Sequence, residues 1–106
     1  MDKKYQDAIN DLNELIKLAP DNASRSGYMN NIAMCYAELK NKEMEEKYFL
    51  DAIEADRNNI NAMHGLSAFY LKNGQKEKGV EYLNEVLSIN PEDEKAKMKL
   101  DSLKNK

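Results

Sequence analysis

The single histidine and the single cysteine have the widest chemical range of any side chains in this sequence. His64 lies on a helical segment with no cysteine or acidic residue three or four positions away, so it lacks the second ligand of a helical metal pair. Catalysis by His64 would need Cys35 beside it, or a carboxylate from outside its own segment. Cys35 has apolar neighbours, which favours a buried, unreactive thiol. We therefore predict no metal, no cofactor and no enzymatic activity.

The other side chains that could take part in catalysis or ligand binding are acidic. Glu43, Glu45 and Glu46 lie close together, but they open a helical segment, where negative charge stabilises the positive end of the helix dipole. No glycine-rich phosphate loop and no hydrolase or zinc-protease motif occurs in the sequence. The sequence therefore favours a binding or structural role.

Composition narrows the fold class and the kind of partner. The chain has 106 residues, 42% of them hydrophobic, with only four glycines and two prolines, which favours a single all-α domain. Sixteen basic and nineteen acidic residues give a net charge of -3, which argues against nucleic-acid binding. No segment is apolar enough for a membrane span or a signal peptide. We predict a cytoplasmic protein, although an excised domain or a mature exported protein would have the same composition.

The chain repeats itself. Residues 26–59 superpose on residues 60–93 without a gap, a period of 34 residues. The paired positions are Met29 with Met63, Ile32 with Leu66, Ala33 with Ser67, Tyr36 with Tyr70, Tyr48 with Tyr82, Phe49 with Leu83, Ala52 with Val86 and Ile53 with Leu87. Within each copy these positions follow helical spacing on both sides of a turn. Each repeat is therefore predicted to be a helix, a turn and a second helix.

The flanking segments are predicted to be partial repeats. Residues 1–22 form a half repeat, in which Ala8, Leu12, Leu15 and Pro20 take the places of Gly79, Leu83, Val86 and Pro91. Residues 94–106 form a capping helix with one narrow apolar stripe. Six helices are predicted, near residues 3–18, 25–39, 42–55, 60–72, 76–88 and 93–104.

The half repeat leaves an apolar stripe without a preceding partner helix. Ile9, Leu12 and Ile16 on this stripe are predicted to take part in self-association. Three explanations remain open: the chain is cut from a longer array, it pairs with its own copy about a two-fold axis, or it exchanges its first helix with another copy. The exchange would use a loosened turn that is predicted at residues 21–25.

These repeats resemble the tetratricopeptide repeat (TPR) family. The resemblance rests on Met63, Leu66, Ser67, Tyr70, Gly74, Gly79, Leu83, Val86 and Pro91, and on the equivalent residues of the preceding copy. It departs from the family at Met29 and Met63, which replace the usual tryptophan, and at Glu45 and Arg57. Other helical-hairpin repeats are the main alternative. The resemblance implies a superhelix whose first helices line a concave groove that binds a protein or peptide.

By resemblance, the groove residues can be named. They are Asn30, Asn31, Met34, Asn61, His64, Ala68 and Leu71. The wider set of groove positions also includes Glu38 and Lys72, so the predicted groove carries only one charge of each sign and favours no strongly charged ligand. The lysines and arginine with which chaperone adaptors of the family hold a terminal carboxylate are absent from these places. The predicted function is a non-catalytic protein-binding module, and the alternative is a self-assembling structural piece that acts through its first helix.

Overall fold

The computed structural model describes residues 2–104, which form six helices and no strand. The helices are α1 (Asp2–Leu18), α2 (Asn22–Glu38), α3 (Lys42–Ala55), α4 (Ile60–Lys72), α5 (Lys76–Ile89) and α6 (Glu94–Lys104). The predicted all-α class and the six predicted helices are confirmed. None of these helices is long and apolar enough to cross a lipid bilayer.

The chain forms two compact units, Met1–Ala62 and Met63–Lys106, with the boundary inside α4. In the first unit, α2 packs against both α1 and α3. In the second unit, α6 packs against α5.

Asparagine and aspartate side chains cap the amino-terminal ends of four of the helices. Asp21 accepts a hydrogen bond from the Ser24 amide at 2.7 Å and so caps α2. Asn41 caps α3 in the same way through the Met44 amide. Asn59 and Asp93 cap α4 and α6, and they lie 34 residues apart, as the repeat requires. These caps satisfy amide groups that the first turn of a helix leaves without partners.

The cap at Asp21 corrects one predicted feature. Residues 21–25 were expected to form a loosened turn, but α2 begins at Asn22 and the Arg25 amide bonds to the Asp21 carbonyl at 3.2 Å. The Arg25 guanidinium also donates hydrogen bonds to the Asn22 side-chain oxygen and to the Ala19 carbonyl. The extra residues therefore lengthen the helix, and the turn on which helix exchange was based does not exist.

Two residues with positive φ close the first helix of each repeat. Gly74 has φ +78°, and the Gln75 amide behind it donates to the Tyr70 carbonyl at 2.8 Å. At the equivalent turn Lys40 has φ +60°, and the Asn41 amide donates to the Tyr36 carbonyl at 3.0 Å. Glycine adopts this conformation freely, whereas a side chain makes it costly. The sequence predicted a turn at both places, and in the first repeat a lysine adopts the left-handed backbone.

Replacing Lys40 with glycine is expected to stabilise the chain by about 1 kcal/mol, because it relieves the left-handed strain at an exposed position. The reciprocal change, Gly74→Lys, is expected to destabilise it by a similar amount. Urea unfolding followed by circular dichroism measures both. A Lys40→Gly chain that is less stable than the original would show that the lysine side chain makes a contact worth more than the strain.

The first unit has a polar link inside its core. Ser26 is fully buried; its hydroxyl donates to the Ala52 carbonyl at 2.6 Å and accepts from the Asn59 side chain at 2.7 Å. Asn59 thus ties the beginning of α4 to α2, while Ser26 ties α2 to α3. Ile9 from α1 and Ile32 from α2 are buried in the same unit, at 1% and 0% exposure. Since the buried hydroxyl has its partners, it avoids the usual cost of burying a polar group.

In the second unit α4 and α5 approach closely through small residues. The Ser67 hydroxyl donates to the Gly79 carbonyl at 2.8 Å. A Cβ atom at Gly79 would lie 2.7 Å from the Leu71 side chain, so the glycine is needed for this spacing. Val86 and Leu66 are both fully buried in the same unit.

A tyrosine pair recurs in both repeats. Tyr36 stacks on Tyr48 with ring centroids 5.8 Å apart, and Tyr70 stacks on Tyr82 at 6.1 Å. Offset stacking of this kind adds to the free energy gained by burial. The sequence alignment paired these four residues, and the structure places them in equivalent contacts between the two helices of each repeat.

Candidate partner-binding site

The first unit carries four of the predicted groove residues. Met34 on α2 is 55% exposed and Asn31 is exposed as well. Asn30 is half-buried; its amide nitrogen lies 3.9 Å from the Met34 sulfur, and its Oδ1 is buried without a hydrogen bond from any described residue. Asn61 is exposed on the first turn of α4. The α2 residues thus present an apolar side chain and two amides close together along one helix.

His64 has a different environment from the open groove position that was predicted. Its Nε2 lies 3.2 Å from both Asp93 carboxylate oxygens, and its side chain is only 11% exposed. Asp93 also accepts from the Ala96 amide at 2.9 Å as the cap of α6. His64 therefore links the beginning of α6 to α4. Most of its ring is buried and so is not accessible to a binding partner.

The same contact supplies the acidic group that the sequence lacked near His64. The pKa of Asp93 is lowered, chiefly by the Ala96 amide and then by the hydrogen bond and charge of His64. A histidine and a carboxylate make two parts of a catalytic triad, which also needs a nucleophile within hydrogen-bond reach. Within residues 2–104 no group of three histidine, cysteine or acidic side chains is placed to hold a metal ion. The geometry of the pair is that of a capped helix junction.

Ala68 and Leu71 line a cavity of about 450 Å³ in the second unit. The cavity also receives side chains from the end of α4, the beginning of α5 and the carboxyl-terminal half of α6. These additional residues are Lys72, Lys76, Lys99, Ser102 and Leu103. Leu71 is half-buried because part of its side chain covers Gly79. The cavity has the size of many small binding sites, and its apolar lining is provided by Ala68, Leu71 and Leu103.

The charge of this cavity differs from the expectation. Three lysines and no acidic residue line it, whereas the sequence alone predicted a groove with one charge of each sign. The lysines lie on three helices, and Lys99 on α6 is far in sequence from Lys72 and Lys76, so helical spacing on a single segment did not reveal that they meet at one cavity. A cavity with ammonium groups and an apolar floor favours an acidic ligand that also carries an apolar side chain.

The predicted self-association residues differ in exposure. Ile9 is buried in the core of the first unit, while Leu12 and Ile16 are half-buried. The apolar side chains of α1 that remain open are Leu15, 43% exposed, and Leu18, 80% exposed. The open part of α1 therefore lies toward its carboxyl end.

Cys35 is half-buried on α2. Burial raises the pKa of its thiol, and the charge of Glu38 raises it further. A raised pKa keeps the sulfur protonated at neutral pH, where the thiol is a weak nucleophile. The structural environment of Cys35 is that of an inert packing residue.

Two family models match the chain, and both are described as tetratricopeptide repeat. One matches residues 26–59 and the other residues 48–81, which together span just over half of the chain. The chain belongs to the tetratricopeptide repeat family. A curated relative, the tetratricopeptide repeat-containing protein trd-1 of Caenorhabditis elegans, is 29% identical over 92 residues. That match covers 87% of this chain and 12% of the relative, so the chain spans about an eighth of the relative's length.

TPR repeats are typically non-catalytic and bind proteins or peptides. In this TPR chain the lysine-lined cavity is the concave feature of the second unit that brings predicted groove residues together. Sequence reasoning named three of its residues, Ala68, Leu71 and Lys72, and did not predict that Lys76 and Lys99 join them. It also missed the contact between His64 and Asp93. Neither helical segment carries a signal for that contact, because the two residues are 29 positions apart.

Proposed function

We propose that this TPR chain binds an acidic segment of a partner protein, with an apolar side chain of that segment in the second unit's cavity. The observation that carries the proposal is the combination of Lys72, Lys76 and Lys99 around an apolar floor. Binding is non-catalytic and needs no cofactor.

The chemistry of the cavity supports this partner class. An aliphatic or aromatic side chain gains free energy by leaving water at Ala68 and Leu103. Flanking glutamate or aspartate residues would face the three ammonium groups, which attract and orient an acidic segment. The net charge of the whole chain is negative, so the attraction is local to this cavity and does not extend to nucleic acid.

The amides of the first unit supply a second kind of contact in this proposal. Asn31 and Asn61 are exposed and have both a donor and an acceptor, as a peptide backbone requires. Met34 adds an adaptable apolar surface next to Asn30. We propose that these residues bind the backbone of a partner segment, and that His64 contributes by holding α6 in place.

Selection from a random peptide library against the 106-residue chain tests the proposal. The selected peptides are expected to be enriched in glutamate or aspartate next to leucine or an aromatic residue. The double variant Lys72→Glu with Lys99→Glu is expected to bind a selected peptide about tenfold more weakly, since two attractive charges become repulsive and each is worth somewhat under 1 kcal/mol. Fluorescence anisotropy of the labelled peptide measures the change.

The matched control is Lys42→Glu, which reverses an exposed lysine on α3, far from the cavity in sequence. It is expected to leave the affinity unchanged. Selection of peptides with no acidic enrichment, or equal binding by the double variant, would contradict the proposed cavity. Circular dichroism of each variant establishes that the helices are intact.

A second candidate function is self-association through α1. The exposure of Leu15 and Leu18 favours it, because an apolar stripe on a helix is stabilised when another surface covers it. We propose it as an additional property of the chain, in which α1 supplies the associating surface.

A further inference from the structure

A second apolar groove lies between α5 and α6, with a volume of about 550 Å³. Its apolar lining comes from Val80 and Leu87 on α5 and from Leu100 and Leu103 on α6. All four of these side chains are half-buried. Three lysines and one aspartate stand around them, so the groove is basic as well as apolar.

The α6 side of this groove corresponds to a surface that is covered in the preceding repeat. Leu100 and Lys104 lie 34 residues after Leu66 and Tyr70 on α4. Leu66 and Tyr70 are 0% and 4% exposed, and Tyr70 stacks on Tyr82 of α5, the helix that follows. Helix α6 therefore presents the face on which, one repeat earlier, a second helix packs.

Helix α1 exposes an apolar side chain where its equivalent on α5 is buried. In the alignment of the half repeat, Leu15 takes the place of Val86, which is fully buried in α5, yet Leu15 is 43% exposed. The reverse holds on the other side of the helix. Ile9 is buried at 1% exposure, whereas its equivalent Val80 is half-buried in the open groove. Leu15 on α1, and Leu100 and Leu103 on α6, thus stay partly exposed on faces that a neighbouring helix covers in the complete repeats.

We propose that the α5–α6 groove of one copy of this chain receives α1 of a second copy, head to tail. The inference rests on the proposed self-association through α1 and specifies the surface that receives it. Leu12 and Leu15 of the incoming helix would cover Leu100 and Leu103, so that α6 and the second copy's α1 together form one complete repeat.

Charge complementarity at one pair of positions supports this occupant. The stacked pair Tyr70–Tyr82 maps to Lys104 on α6 and Asp11 on α1. Lys78 lies 5.2 Å from the Tyr70 ring centroid, and its equivalent on α1 is Asp7. Opposite charges therefore replace the tyrosine pair of the complete repeats at the place where two copies would meet.

The geometry differs from a two-fold dimer. The donated helix and the receiving groove are different surfaces of one chain, so each copy keeps a free end of each kind after pairing. Association of this kind produces an open series of dimers, trimers and longer chains.

Sedimentation velocity of the 106-residue chain from micromolar to millimolar concentration tests the proposal. The expected result is a weight-average mass that keeps rising past that of a dimer. Asp11→Lys alone and Lys104→Glu alone are each expected to weaken association about tenfold, since a like-charge pair replaces an attractive one. An equimolar mixture of the two variants is expected to associate again, because a junction between Asp11→Lys on one copy and Lys104→Glu on the next joins opposite charges.

Lys42→Glu and Glu54→Lys are the matched controls, since both reverse exposed charges on α3, and neither is expected to change the mass. Leu15→Asp removes the apolar contact. It distinguishes self-association through α1 from the specific pairing of α1 with the α5–α6 groove. If Leu15→Asp abolishes association while the charge variants and their mixture behave like the original chain, α1 mediates self-association but the head-to-tail pairing is wrong. A mass that stops at a dimer also overturns the pairing. A monomer at every concentration overturns self-association itself.

Discussion

Replacing Ala52 with leucine is expected to lower the free energy of unfolding by about 1–3 kcal/mol, because it inserts three carbon atoms where none fit. Ala52 is 0% exposed on α3, and its carbonyl accepts the buried Ser26 hydroxyl at 2.6 Å. A larger side chain pushes α3 away from α2 and strains that hydrogen bond. Urea denaturation followed by far-ultraviolet circular dichroism gives the free energy directly.

The control for this substitution is Ala23→Leu on α2. Ala23 is exposed and helical, so the same added atoms meet solvent, and alanine and leucine have similar helix propensities. The expected change is within about 0.5 kcal/mol. Equal stabilities of the Ala52→Leu and Ala23→Leu chains would show that Ala52 does not face the α2–α3 contact.

Asp93→Ala is expected to cost about 1–3 kcal/mol, because one substitution removes the cap of α6 and the partner of His64. Glu94→Gln is the control: Glu94 is exposed in the first turn of the same helix, and its nearest cation, Lys97, is 3.9 Å away. Its effect is expected to be a few tenths of a kcal/mol. Similar losses for the two variants would contradict the structural role assigned to Asp93.

The lowered pKa of Asp93 also predicts that the stability of the fold depends on pH. The Ala96 amide and His64 hold its pKa below the ordinary value of 3.8, so the folded state favours the charged carboxylate. Its contribution is therefore complete above about pH 5, and it is lost as the pH falls through 3.8 to the lowered pKa. Asp93→Asn retains a capping oxygen but does not titrate. We expect the stability difference between the original chain and Asp93→Asn to shrink as the pH is lowered from about 5 to about 2.

The fold was predictable because it repeats. Buried positions such as Ile32 and Leu66 recur 34 residues apart, and their helical spacing is independent of distant contacts. The beginning of α2 was predicted three residues late, since the cap at Asp21 was not recognised. The positive φ of Lys40 could not be read from its residue type, because asparagine and glycine favour that conformation and the turn geometry imposes it on a lysine.

The candidate site was less predictable than the fold. Pattern analysis named Ala68 and Leu71 because a helix face can be read from spacing along one segment. The three lysines converge from α4, α5 and α6, and such convergence depends on how the helices pack. The hydrogen bond between His64 and Asp93 links residues 29 positions apart, so it too was beyond the range of local patterns.

Chemical-shift mapping by NMR is the decisive test of whether an acidic partner segment occupies the lysine-lined cavity of the second unit. The ¹⁵N-labelled 106-residue chain is titrated with a library-selected acidic peptide. We expect the largest shifts at Ala68, Lys72, Lys99 and Ser102, and we expect Lys72→Glu with Lys99→Glu to need about tenfold more peptide to reach them. The largest shifts on α3, with these four amides unmoved, would contradict binding in this cavity.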